Sequence, residues 1–541
     1  ILLDHERKSL EEIGMELRVS GEARLFQENF SIYSAFSKPS EYLWLSYPLG
    51  DEEGRAKRPS ILIDRFKRLF PKLHIAGDLI KTVESQLDLL ATASGSFKYL
   101  VENMRLYLDD KPMDELWWDV YYWYYTADNW EEKTNMMIEG LFHKNQVNYI
   151  DHGKVKTLYN TPIRTSVSRL ERFVNCPFAH FVTYGLRPKE RKEYELRGPD
   201  IGSIFHYAMD RFANKSYEKD IDWMYMEKDQ SDEIVEEVMA ELTQDFEYGV
   251  LESTHRYKYL ANRLTRISKK ALWTLIEHIK SGDFVPYGHE IAFGEGQAIP
   301  SMVIELDNGE KIYLEGRIDR VDILEDEDGE YFKVIDYKSG NKEFNLSDVY
   351  YGFQLQLIIY LEAIISMKNK SKDNKTYPAG MFYFRIHDPM INTPAKAVET
   401  VENEVNKQLK MRGLVLKDIN IIKGMDREAE GHSQIIPVYI SRDGSIGKAS
   451  SVATGEDFQY LISHVENLIK EIGKEILKGN VKIEPCKRGK QISCEYCDYL
   501  SICQFDTLLE DNRYRNIKKM ETEEVLEKIR SREEDNADEM D

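Results

Sequence analysis

Gly316-Arg317-Ile318-Asp319-Arg320-Val321-Asp322, followed after an acidic turn by Ile335-Asp336-Tyr337-Lys338-Ser339-Gly340, decides how the chain folds. Both stretches alternate in the manner of strands, whose successive side chains point to opposite faces. On that alternation Asp319 lies on the face opposite Ile318 and Arg320, while Asp336 and Lys338 share a face. A hairpin of this kind brings two carboxylates and an ammonium to one small site. The carboxylates suit a hard divalent cation such as Mg²⁺, which keeps positions for water and phosphate oxygens. The lysine suits an attacking water or the charge that develops on a phosphate. Metal-assisted phosphodiester hydrolysis is the chemistry served; the alternative is a set of ordinary charged residues on the solvent face of a meander.

Working outward, the pattern predicts strands at His289–Phe293, Met302–Leu306, Lys311–Ile323, Tyr331–Tyr337 and Met381–Ile386, with turns at Asp307-Asn308-Gly309 and 325–330. Long helices are expected over Ser347–Met367 and Glu456–Leu477. The second carries Phe458, Leu461, Ile462, Val465, Leu468, Ile469, Ile472 and Ile476 at the 3.6-residue period. The region before about Lys280 reads as helical. It enters at Thr161–Ser168, where Ser168 and Glu171 fit a capping box. Gln354 and Tyr360 sit on the helix after the second motif, and His206, in Gly202-Ser203-Ile204-Phe205-His206, is placed on an upstream helix that can bring an imidazole to the same metal. A satisfied core or surface histidine is the other reading of His206.

The 541 residues exceed one ordinary core and predict several domains. Hydrophobic residues make up 42% and charged residues 31%, which excludes collagen-like and mostly disordered classes. The net charge of −22 sets a nucleic-acid reading at a disadvantage unless attraction is local. Arg187, Lys189, Arg191 and Lys192 are the expected local path. The tail Asn516–Asp541, with ten acidic and five basic residues, is read as a helix fading into solvent. Near the other end, Asp4–Leu25 reads as a charged helix, Tyr42–Tyr47 as a buried strand and Ser60–Phe70 as a helix. Trp117–Tyr125 is an aromatic helix whose rings are expected to face a core or a partner, since a base-stacking platform would carry interleaved basic residues.

The most apolar stretch, Leu355–Met367, carries Gln356 and Glu362, so no membrane span is expected. The first residues lack the pattern of a signal peptide and read as the later part of a longer polypeptide. Five cysteines are too few for a disulfide scaffold, and Cys494, Cys497 and Cys503 crowd together with C-x2-C-x5-C spacing. That points to metal chemistry in a reducing compartment, the cytoplasm. The fourth ligand must be distant: Cys176 or Cys486. One remote cysteine with a cluster of three favours a [4Fe-4S] cluster over zinc, although spacing does not settle the metal. A buried structural thiol is the preferred account of Cys486.

Taken in order, His206, Gly316–Asp322, Asp336-Tyr337-Lys338-Ser339-Gly340 and the Gln354/Tyr360 pair resemble the motifs of the RecB-like branch of the PD-(D/E)xK nucleases. The resemblance implies an α/β fold, a mixed sheet flanked by helices. It also implies His206, Asp319, Asp336 and the backbone carbonyl of Tyr337 as metal ligands and Lys338 as the catalytic lysine. Gln354 and Tyr360 would support the site. Cys176-Pro177-Phe178 with Cys494–Asp506 resembles the iron-sulfur staple of the AddB subunits of AddAB helicase-nucleases, and Leu25–Phe70, Arg412–Leu416 and Asp443–Thr454 are similar to the same family. On that likeness residues 1–160 are the end of a helicase-like region, 161–510 the stapled nuclease domain and 511–541 a charged tail. The implied activity is Mg²⁺-dependent exonuclease cleavage of single-stranded DNA, on the 5′-ended strand, beside an AddA-like motor and nuclease subunit during double-strand break processing. Gly444-Ser445-Ile446-Gly447-Lys448-Ala449 only imitates a P-loop, because Ala449 has no hydroxyl for Mg²⁺, so no ATP hydrolysis is expected from these residues. A free-standing iron-sulfur exonuclease with the same motif order, or a DNA-binding scaffold with an inactive nuclease fold, are the competing readings.

Overall fold

The computed structural model describes residues 6, 9–10, 12–15, 21–50, 55–73, 86–189, 197–245, 250–370, 375–389, 404–509 and 512–538. It divides into two compact units, Ile1–Phe142 and His143–Asp541.

The first unit is helical. Its small core gathers Leu100, Met104, Trp117, Tyr124 and Met137 from helices Ala93–Leu108, Leu116–Thr126 and Glu131–Leu141. The aromatic helix turns Trp117 and Tyr124 into that core but leaves Tyr122 and Tyr125 more than half exposed. Helix Ile61–Leu69 forms as expected, with Ser60 Oγ accepting the Leu62 N–H. Tyr42–Tyr47 does not form the buried strand expected of it. No described strand pairs with it, and Tyr42 and Trp44 stand 90% and 85% exposed. Of the expected helix Asp4–Leu25, residues 4–5, 7–8, 11 and 16–20 lie outside the described residues, and the rest is not one helix: residues 13–15 are a non-helical turn with Gly14 at φ +87°, and residues 21–25 open the helix Gly21–Ser37.

The second unit contains, in chain order, α1 (Val167–Asn175), α2 (Gly198–Glu218), α3 (His255–Lys280), β1 (Val285–Phe293), β2 (Gly316–Glu325), β3 (Glu330–Lys338), α4 (Gln356–Lys370), β4 (Thr376–Arg385), β5 (Arg412–Leu416), β6 (Val452–Ala453), α5 (Gly455–Leu477) and α6 (Thr522–Asp538). The strands form one six-stranded sheet in sequential order. It is mixed, because β3 pairs parallel with β4 and β5 with β6 while the other neighbours are antiparallel. The parallel step from β3 to β4 needs a crossover, which α4 supplies. One core packs α1, α4, α5 and α6 against the sheet through residues such as Ile318, Val334, Ile359 and Ile469. A second core packs α2 and α3 through Phe205, Phe212 and Leu275 against Ile335 and Phe382. Strands sandwiched in this way are nearly continuous in apolar burial, and β3 is buried from Phe332 to Tyr337.

Several expectations change in detail. Lys311–Ile323 is not one strand. Glu315 donates its N–H to Thr165 O (2.9 Å), so the chain leaves a small sheet with Ile163–Thr165 and Met302–Glu305 at that residue and enters the large one at Gly316. Ser347–Met367 is not one helix, since it is broken between Leu346–Tyr350 and α4. Gly352 adopts φ +86° there, with Val174 and Leu468 methyls 3.1 Å from where a Cβ would stand. Ser168 does not cap α1. Its hydroxyl meets Ser166 Oγ, and Glu171 turns away to accept the Leu355 N–H at 2.9 Å, ahead of α4.

The tail is also not solvated throughout. Val525 and Ile529 of α6, four residues apart on one helix face, are 0% and 1% exposed, and Arg530 pairs with Asp457 of α5 at 2.6 Å. An apolar stripe hidden among charges is enough to dock it. Among the described residues no helix is long and apolar enough to cross a membrane.

Candidate active site and cysteine cluster

The site forms where β2 and β3 part. Their ladder runs from Glu325/Glu330 to Arg320/Ile335 and stops there. Beyond it the Tyr337 N–H, freed from strand pairing, donates to Asp319 Oδ2 at 2.7 Å. Asp319 thereby reaches into the space beside Asp336 instead of following strict alternation. The departure has a partner on β1: Glu290, facing Asp319 across the strands, holds a left-handed backbone at φ +48°. Ile318 and Val321 consequently point into the same core, whereas Arg320 and Asp322 lie on the other side. Ile318 and Arg320 therefore do not share a face as the alternation predicts.

His206 on α2 completes a group with Glu290 and Asp319 whose ligand atoms lie within 4.8 Å of one another. Its Nδ1 is 3.4 Å from Asp319 and 3.6 Å from Glu290. Burial opposes a charge on the imidazole, but hydrogen bonds to Asp319 and Glu290 outweigh it and raise its pKa to about 10. The Asp336 carboxylate is fully buried against the Lys338 ammonium, which meets Oδ2 and leaves Oδ1 without a hydrogen-bonded donor. Burial and then the neighbouring Asp319 charge push it up to about 7. Glu290 Oε1 is likewise buried and faces His206 Nδ1 at 3.6 Å.

Three largely buried carboxylates with so few donors are costly unless further positive charge meets them. Hard oxygens with one imidazole form a donor set that fits a divalent cation bound mainly through oxygen. Glu290 is missed by sequence reasoning, because a lone glutamate on a strand carries no signal of its own; its meaning lies in the cross-strand position opposite Asp319.

The helix-borne residues divide. Tyr360 reaches the site through one intermediary, Gln356: Lys338 Nζ donates to Gln356 Oε1 at 3.1 Å and Gln356 Nε2 to Tyr360 Oη at 2.9 Å. Gln354 does not reach the site. Its amide donates to Glu343 O and Asp348 Oδ2 and accepts from Asn345 N, tying the loop before α4. The correction has a simple cause, since α4 begins only at Gln356 and Gln354 belongs to the preceding non-helical loop.

Behind the sheet, Arg320 holds Asp322 bidentately at 2.6 and 2.9 Å, and Lys333 stands 3.3 Å from the same carboxylate, all three essentially without solvent contact. Their mutual pairing satisfies charges that burial would otherwise penalise.

Cys176, Cys494, Cys497 and Cys503 line one cavity with Phe178, Ile483 and Phe505. A backbone bond from Phe178 N–H to Lys482 O (3.1 Å) draws the two segments together. Burial, and then the neighbouring Cys176, Cys497 and Cys503, push the Cys494 thiol up to about 11. Four sulfurs without a carboxylate or imidazole suit a soft-metal site. Cys486 stands apart as a buried thiol donating to Val174 O at 3.3 Å.

The expected basic path is thinner than its sequence suggests. Arg187 spends its guanidinium on Tyr184 O and Leu158 O, Lys189 is exposed, and Arg191 and Lys192 lie outside the described residues.

Comparison with known proteins places these features. The profile of the PD-(D/E)XK nuclease superfamily matches residues 164–504, and that of the ATP-dependent helicase/deoxyribonuclease AddB fifth domain matches residues 82–140. Two ATP-dependent helicase/deoxyribonuclease subunits, from Alkaliphilus metalliredigens and Alkaliphilus oremlandii, are each 57% identical over 98% of this chain and 46% of their own length. The subunit of the same name from Clostridium acetobutylicum is 40% identical over 98% of this chain and 46% of its length. The chain thus spans about half the length of the relatives it matches.

Proposed function

This chain belongs to the PD-(D/E)XK nuclease superfamily, among the AddB subunits of ATP-dependent helicase/deoxyribonucleases, and on that premise we propose that it is a Mg²⁺-dependent exonuclease acting on single-stranded DNA. The observation that carries the proposal is the meeting of His206, Asp319, Asp336 and Lys338 where β2 and β3 diverge. His206, Asp319, Asp336 and the Tyr337 carbonyl would hold the cation, with Glu290 beside them. When bound, the cation supplies Lewis-acid activation of the phosphate and of the attacking water. Lys338, held by Gln356, presents its ammonium at a fixed place for the phosphate charge or the attacking water. Tyr360 fixes Gln356, and the Tyr337 N–H fixes Asp319.

The cysteine cavity would hold a [4Fe-4S] cluster through Cys176, Cys494, Cys497 and Cys503, joining the two sequence ends of a nuclease domain spanning about residues 161–510. Closing so long a loop stabilises the folded state. The helical unit that carries the fifth-domain match favours a helicase-associated subunit over a free-standing exonuclease. In this reading the chain works in the cytoplasm beside an AddA-like motor and nuclease subunit, cuts the 5′-ended strand from 5′ to 3′ and contributes to double-strand break processing for recombination. We assign no ATP hydrolysis to these residues; Gly444–Ala449 begins as a tight turn in which Ser445 N–H donates to Asp443 Oδ1 at 3.0 Å. DNA would be attracted by the bound metal and by basic surface elsewhere in the complex, given a chain of net charge −22.

The test is cleavage of 5′- and 3′-labelled single-stranded DNA with Mg²⁺ by the full-length subunit in its complex, the partner's nuclease inactivated. Asp336→Ala and Lys338→Ala are expected to abolish it. Undiminished cleavage by either would remove the assignment, and shortening from the 3′ end would reverse the polarity.

A further inference from the structure

Arg172 sits one helical turn before Cys176 at the end of α1, the two linked by the Cys176 N–H to Arg172 O bond of 3.0 Å. Cys176 caps the helix with extended backbone, which turns the chain toward the cavity wall. Arg172 lines the same cavity as the four cysteines, and among the described residues lining it no other carries a full charge. Its Nε is buried and has no hydrogen-bond acceptor. Its guanidinium stands 6.0 Å from the Tyr499 ring, beside the cysteine cluster.

A guanidinium does not deprotonate in a protein, so the half-buried Arg172 keeps a positive charge whose buried Nε–H lacks an acceptor. The cavity offers no carboxylate, and its other walls include Phe178, Ile483 and Phe505. Thiolates around a metal centre bring a negative charge into this setting, where apolar walls strengthen electrostatic interaction.

We infer that Arg172 is the outer-sphere counter-ion of the metal centre held by Cys176, Cys494, Cys497 and Cys503, giving an N–H to its sulfur atoms. The inference rests on the iron-sulfur reading of that cavity and adds a named determinant of the cluster's potential. Hydrogen bonds to sulfur and nearby charge are among the terms that set such potentials. A cation beside the cluster stabilises the reduced state, which carries one more negative charge than the oxidised one. Removing that cation makes reduction harder.

The experiment uses the full-length subunit in its complex, purified without oxygen, as wild type, Arg172→Gln and Arg172→Lys. Iron and sulfide content and the midpoint potential are measured. Arg172→Gln is expected to shift the midpoint to a more negative value and to bleach faster in air, with Arg172→Lys between it and wild type. A residue that merely packs on Tyr499 would alter thermal stability and leave the midpoint unchanged, so a fully loaded Arg172→Gln with the wild-type midpoint overturns the inference. Should Arg172→Gln retain no cluster, iron content restored in Arg172→Lys supports the assignment, and loss in both variants overturns it. A wild-type protein that is colourless and carries stoichiometric zinc overturns the iron-sulfur reading itself, before any variant is compared.

Discussion

The backbone N–H of Tyr337 donates to Asp319 Oδ2 at 2.7 Å, so a carboxylate assigned to the metal also replaces the strand partner that β3 loses at this point. Asp319→Ala and Asp319→Asn should separate these tasks. Both are expected to abolish binding of Mn²⁺, measured calorimetrically, and with it DNA cleavage. Only alanine leaves a buried N–H unpaired, at a cost of about 1–3 kcal/mol read from denaturant unfolding. Equal unfolding midpoints for the two variants would show that the hydrogen bond contributes nothing.

Gln356 and Gln354 are two residues apart and should behave differently. Gln356→Ala frees Lys338 and Tyr360 from their shared partner and is expected to lower the cleavage rate about 10- to 100-fold, the range seen when a supporting hydrogen bond is lost. Gln354→Ala loosens the loop before α4 and should lower stability with little change in rate. The reverse pattern would restore Gln354 to the site.

Glu290→Gln keeps the shape of the side chain but removes its charge. Affinity for Mn²⁺ is expected to fall about 10- to 100-fold, and the His206 imidazole, followed by NMR in the metal-free protein, should titrate lower than the wild type's raised value of about 10. Unchanged affinity would reduce Glu290 to a spectator.

Acid should weaken the fold through three histidines buried as neutral groups. Burial lowers His180 and His278 to about 3 and His289 to about 4 from 6.5. Between those values and 6.5 the unfolded chain binds more protons than the folded one. The contribution of these three histidines is therefore full above about pH 6.5 and declines below it, by up to about 1.4 kcal/mol per pH unit for each. Asp336, raised to about 7, works in the opposite direction between 3.8 and 7, as do Glu171, Glu362 and Glu466, which burial also raises, so the histidine contribution is read from a His278→Gln variant. The unfolding midpoint measured from pH 7 to pH 4 checks this, and His278→Gln should flatten the slope.

The hairpin motifs and the period of α5 are legible in the sequence because each is local: alternation places Asp336 beside Lys338, and a 3.6-residue stripe buries Phe458, Leu461 and Val465. The four cysteines that share one cavity can be named from spacing and resemblance. What escapes depends on partners remote in sequence. Glu290 acquires meaning only across from Asp319. Glu171 leaves its capping role because Leu355 offers an N–H 184 residues later. Sequence points to Gln354 instead of Gln356 because the start of α4 is set by Gly352 packed against Val174 and Leu468, which no local pattern encodes. Tyr42–Tyr47 has the apolar texture of a strand without a described strand to pair with.

The separation of Cys176 from Cys503 has a consequence for biosynthesis. As the ribosome delivers the chain, Cys176 emerges 503 − 176 = 327 residues ahead of Cys503, whereas the last strand of the large sheet is complete at Ala453. Asp319, Asp336 and Lys338 can therefore be brought together in a nascent chain that still lacks Cys494, Cys497 and Cys503. With the proposed cluster, metal capture by the cysteines would be a finishing step, and a polypeptide stalled between residues 453 and 494 would carry the hairpin of Asp319, Asp336 and Lys338 without that clasp.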